Sequence, residues 1–116
     1  MTVDRKFIVV TSPTMPGKAV VRTFGLVSGN AVRARHVGMD ILAVLRNIVG
    51  GAITEYAKLL AESREQALDR MVTQAEKRGA NAVVSMQFST SVIMGGAAEM
   101  MAYGTAVIVE DNRPLE

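Results

Sequence analysis

Cysteine is absent from the 116 residues. Disulfide staples, thiolate zinc sites, iron–sulfur clusters and cysteine nucleophiles are thereby excluded together. Histidine occurs once, at His36, so a soft or borderline metal does not find three converging thiolate or imidazole donors within one chain. Tryptophan is missing and aromatic residues make up only 4%, whereas methionine reaches eight. Adaptable thioethers therefore stand in for large rigid core anchors. No apolar run approaches the roughly 18 residues of a membrane-spanning helix. The opening Met1-Thr2-Val3-Asp4-Arg5-Lys6 lacks the charge, apolar run and small-residue cleavage site of a signal peptide. A cytoplasmic location with no membrane partner is the expectation. Charge is nearly balanced, 13 Lys and Arg against 11 Asp and Glu, which is too little excess to predict a nucleic-acid partner.

What is present suits one globular domain over residues 1–116, with an ordered core at about 6–110 and a charged, proline-containing tail at 111–116 that is expected to fray. Its last two residues, Leu115-Glu116, have the look of a cloning remnant. A chain of this size buries roughly two-thirds of its unfolded surface, so subunit contacts would add to a modest margin of stability.

Phe7-Ile8-Val9-Val10 predicts a short buried strand, ended by a loop that carries Pro13, Pro16 and Gly17. Residues 18–32 are β-prone but interrupted by Gly25 and Gly29. Those glycines indicate a bend, a bulge or close backbone approach in one long, curved strand. Over 37–49, Val37, Ile41, Val44, Leu45 and Ile48 fall on one helical face, and Gly50-Gly51 ends that pattern as a helix–helix corner. A second helix is predicted over 53–78, with Ile53, Tyr56, Ala57, Leu60, Ala67, Met71 and Ala75 on its apolar stripe and Gly79 as its stop. Val84, Met86, Phe88, Val92 and Met94 then alternate on one face of a half-buried strand. Gly95-Gly96 signals a hairpin, and Met100, Ala102, Gly104, Ala106 and Ile108 share a face of the return strand over 98–109. The expected order is β-β-α-α-β-β, an α+β fold with a largely antiparallel sheet packed on helices.

Chemistry-bearing constellations are sparse. Arg33, Arg35 and His36 form a basic group before the first predicted helix; with Arg46 they are the candidates for holding an anion. His36, Asp40 and Glu55 are weak candidates for a metal shared around a symmetry axis. Arg64 projects near the centre of the second helix's apolar stripe, where a charge needs a partner in the core or at an interface. Met39 and Leu42 form an outward apolar patch suited to a second protein. Neither G-x-S-x-G nor a phosphate-binding glycine loop occurs. No catalytic residue is assigned, no cofactor is predicted, and the expectation is a protein that is not an enzyme.

Several segments together resemble a known family: Gly29-Asn30-Ala31, Leu45-Arg46-Asn47-Ile48-Val49-Gly50-Gly51, Glu55-Tyr56, Ser63-Arg64-Glu65-Gln66-Ala67-Leu68, Gly79-Ala80-Asn81-Ala82-Val83-Val84 and Tyr103-Gly104-Thr105-Ala106-Val107. The chain is similar to the YbjQ-like family, labelled heavy-metal-binding, from about Ile8 to Val109. The resemblance implies a dodecin-like subunit and a closed ring, a homopentamer; Arg64, Met39, Leu42, Tyr56, Gly50 and Gly51 are the candidates for a structural pair or an interface. It implies no established reaction. The first expectation is a non-enzymatic ring-forming structural or binding protein. The alternatives are a small-ligand or metal-ion-binding oligomer and, more weakly, an engineered assembly component. The last rests on Met39, Ala52, Leu42 and Val44, which depart from the family's habit toward apolar surface.

Overall fold

The computed structural model describes residues 7–33, 51–93 and 97–112. Strands β1 (Ile8–Val9) and β2 (Lys18–Arg33) precede helix α1 (Gly51–Lys77), and β3 (Ala82–Ile93) and β4 (Ala97–Asp111) follow it. The sheet runs in the order β1-β3-β4-β2. Both long pairings, β2 with β4 and β3 with β4, are antiparallel, whereas β1 adds to β3 in parallel. The sheet is therefore mixed. The helix predicted over 37–49, with Met39, Asp40, Leu42 and Arg46, lies outside the described residues, as do Arg35, His36 and Gly50.

The apolar stripe of α1 is short-sided and tightly packed. Ala67, Met71, Val72 and Ala75 have no exposed surface; they meet Val27, Val83, Met86, Met100, Ala102 and Ala106 of the sheet in the main core. Ala67 and Ala75, eight residues apart with Met71 between them, let the helix approach the sheet closely. Gly29 completes that approach, because a Cβ there would fall inside contact distance of the backbone at Met71 and Ala67. The helix ends as its sequence indicates. Gly79 takes φ +98°, its N–H donates to Glu76 C=O at 3.0 Å, and Ala80 N–H donates to Ala75 C=O at 3.1 Å. This is a Schellman close that satisfies carbonyls otherwise left unpaired at a helix end.

Three register shifts shape the strands, the first of them between Val20 and Arg22 of β2. In β2 the register shifts between Thr23 and Gly25, where Gly25 adopts φ +85° and donates its N–H to Thr23 Oγ1. The expected bend thus falls at Gly25 and the close approach at Gly29. In β3 the register shifts between Val84 and Gln87, and Ser85 sits at φ 55°. That extra residue corrects the predicted alternation. Met86 enters the main core, while Val84 joins Ala82, Val107, Val109 and Met15 in a second cluster. The segment after β1 covers this cluster, held by Val10 N–H to Val83 C=O, Met86 N–H to Val10 C=O and Ser85 N–H to Ser12 C=O, each within 3.0 Å.

A serine in the left-handed region costs energy that glycine does not pay. Ser85→Gly is therefore expected to leave stability unchanged or raise it by about 1 kcal/mol, after the added flexibility of the unfolded chain is offset. Urea unfolding at fixed protein concentration checks this. A clear loss would show that the serine hydroxyl, rather than the bulge alone, holds this turn.

Candidate functional site

Of the candidate anion-binding residues, the structure places Arg33 at the end of β2, opposite Ala98 of β4. Gly51, Glu55 and Tyr56 belong to the first two turns of α1. Arg64 is exposed, because the buried stripe runs through Ser63, Ala67, Met71 and Ala75 and leaves Arg64 at its margin. Among the described residues no three metal-capable side chains converge. No described helix is long and apolar enough to cross a membrane.

What the fold does assemble is surface. One groove of about 520 Å³ runs along α1, lined by Glu62, Glu65, Gln66, Asp69, Arg70 and Thr73. Its one cation, Arg70, already donates to Asn30 C=O at 2.6 Å. The groove also lacks a nucleophile with an adjacent base. The sheet face away from α1 is more distinctive. Strand alternation turns Val27, Gly29 and Ala31 toward the helix and Leu26, Ser28, Asn30 and Val32 away from it. Opposite them on β4 stand Thr105, Tyr103, Met101 and Glu99. Two polar pairs cross this face, Asn30 Nδ2 to Glu99 Oε2 at 2.9 Å and Tyr103 hydroxyl to Gln87 Oε1 at 3.0 Å.

Apolar residues flank those pairs. Leu26 is 67% exposed and Val32 54%, a large uncovered area for side chains that are costly to leave in water. Phe88 is also uncovered. It sits opposite buried Ala102, but α1 lies mainly over β2 and β4 and leaves most of β3 open. Val20 and Val21 extend the exposed apolar surface toward the start of β2. Among the described residues the sheet therefore carries more apolar surface than α1 covers.

Comparison with known proteins agrees with the sequence motifs. The YbjQ family model, described as "Putative heavy-metal-binding", matches residues 7–110. The chain belongs to this family. A UPF0145 protein of Pyrococcus furiosus is 54% identical, covering 93% of this chain and 95% of its own. One from Archaeoglobus fulgidus is 53% identical over 90% and 96%. A crystal structure of a DUF74-family protein of unknown function from Pediococcus pentosaceus matches with a TM-score of 0.61, covering 90% of this chain and 98% of that one at 10% identity. That likeness is one of fold.

The family description names a heavy metal, and among the described residues no three His, Cys, Asp or Glu side chains gather to hold one. A lone histidine and no cysteine leave carboxylates and thioethers. The methionines Met71, Met86 and Met100 are buried as core packing. The residues that sequence reasoning passed over are structural: Arg70 and Gln74 of α1 and Arg78 just past its end recur every four residues and bond to the backbone of β2.

Proposed function

We propose that this YbjQ-family chain is a non-enzymatic, ring-forming structural or binding protein that assembles as a homopentamer. The observation that carries the reading is the uncovered apolar surface of the sheet, with Leu26 and Val32 more than half exposed in a single chain. Large apolar side chains exposed together on one sheet face point to a partner, and a core built from alanine, valine and methionine gains most from a second layer of burial. Polar pairs such as Asn30–Glu99 and Tyr103–Gln87 suit the same face, since an interface needs satisfied hydrogen bonds among its apolar contacts. Arg64, exposed on α1, is available in this reading to pair with a neighbouring subunit. The alternative, a ring that holds a small ligand or metal ion through symmetry-related copies of Arg33, Arg35, His36, Asp40 or Arg46, draws its support from the family description.

Native mass spectrometry, before and after dialysis against chelator, tests both readings. Five subunits without added mass are expected. A monomer at micromolar concentration would overturn the assembly, and stoichiometric extra mass removed by chelator would favour the alternative. Leu26→Lys combined with Val32→Lys is expected to keep the fold, because both side chains are exposed within the chain, and to lower the assembled mass. Retention of the full assembly by this variant would place the interface elsewhere.

A further inference from the structure

Strand β2 is a sheet edge, 16 residues long, with Val20, Val21, Leu26 and Val32 exposed. An exposed edge of that length and apolarity is a template for strand addition by another chain. Four of its backbone groups between residues 24 and 30, however, are met by side chains of helix α1 and of Arg78 just past its end. Arg78 Nη1 donates to Phe24 C=O at 3.4 Å and to Leu26 C=O at 3.0 Å. Gln74 Oε1 accepts from Ser28 N–H at 2.9 Å. Arg70 Nη1 donates to Asn30 C=O at 2.6 Å. The chemistry alternates as a neighbouring strand would: donors meet carbonyls and an amide oxygen meets the N–H.

The geometry follows from two matched periods. Residues 26, 28 and 30 turn the same backbone edge outward, about 6.6 Å apart at every second position, and the bulge at Phe24 brings its carbonyl to the same side chain as that of Leu26. Residues 70, 74 and 78 rise about 6 Å per step along one helix face. Close seating of α1 on Gly29 holds the two rows alongside each other. We infer that Arg70, Gln74 and Arg78 form a side-chain ladder that closes the β2 edge to strand addition, so that a second copy of β2 is shut out and assembly proceeds through other surfaces. The occupant excluded is specific. Another β2, antiparallel, would present the same alternating groups to residues 24–30 and the same exposed leucine and valine.

Gln74→Ala with Arg78→Ala in the full chain tests the ladder. The variant is expected to give particles at least twice the wild-type mass, growing with concentration by light scattering, with Ser28 amide exchange about tenfold faster under dilute conditions. Gln74→Glu keeps an acceptor oxygen and is expected to stay at the wild-type mass. A folded double variant with wild-type mass and unchanged Ser28 exchange would overturn the inference. Should the double variant not fold, a labelled peptide of the β2 sequence decides with the wild type. No added protection over residues 24–30 is expected, and uptake there would refute a closed edge. These readouts compare variants with whatever oligomer the wild type forms, so they stand apart from the pentamer test.

Discussion

Gly29→Ala is expected to destabilise the protein by about 4 kcal/mol or more, at the extreme of single-substitution effects. The atoms a new methyl would meet are backbone: Met71 N, Ala67 O and Arg70 C, the last at 2.7 Å. A flexible side chain can turn away from an added methyl, but helix backbone can yield only by moving the helix. Displacing α1 would open the contacts of Ala67, Met71, Val72 and Ala75, all without exposed surface, and would pull Arg70 and Gln74 away from β2. Gly25→Ala is the matched control in the same strand. Its Cβ would meet nothing within 4 Å, and only its φ of +85° opposes a side chain, which costs about 1–2 kcal/mol. Urea unfolding of both variants, at one protein concentration because assembly contributes to apparent stability, should separate them clearly. A loss at Gly29 no larger than that at Gly25 would mean that α1 does not seat on β2 as described.

That contrast shows how legible the chain was. Gly25 and Gly29 both read as interruptions of a strand, since glycine lacks the side chain a pleated surface packs. Nothing local distinguishes a bulge from a helix crossing, because the difference lies in what arrives from 40 residues away. The end of α1 was readable at Gly79, whose left-handed conformation is a local property. Alternation in β3 was misread at one step, because the left-handed Ser85 carries no glycine to announce it and moves Val84 and Met86 to opposite faces. The helical period predicts Arg64 near the centre of the apolar stripe, yet burial follows Ser63 and Ala67, since small residues set where a helix meets a sheet. The candidate anion and metal residues remained a matter of composition. His36, Arg35, Asp40 and Arg46 lie outside the described residues, and the tertiary placement that would make weak ligands into a site is not encoded in their spacing.

Asn81→Ala is expected to cost about 2–3 kcal/mol, a large effect for an exposed polar residue. The Asn81 amide acts as a strand partner to β4. Its Nδ2 donates to Val109 C=O at 3.0 Å, and its Oδ1 accepts from Val109 N–H at 2.8 Å. Its own backbone N–H donates to Val107 C=O and its C=O accepts from Ile8 N–H. One residue thereby joins β1, β3 and β4 just past the helix stop, where the chain must reverse within three residues of Lys77–Arg78. Alanine would leave the Val109 pair without partners in a half-buried place, and the unmet groups carry the full desolvation penalty. Asn81→Asp separates hydrogen bonding from shape. A protonated carboxyl can both donate to Val109 C=O and accept from its N–H, whereas a carboxylate only accepts and faces the carbonyl with like partial charge. The folded state therefore favours the protonated form, raising the carboxyl pKa above its unfolded value of about 3.9. Stability relative to wild type is present below that value and lost as pH rises through the folded pKa. Thermal unfolding of this variant and the wild type from about pH 3 to about pH 7 should show the gap widening with pH; a gap independent of pH would show that the Val109 carbonyl does not depend on this donor.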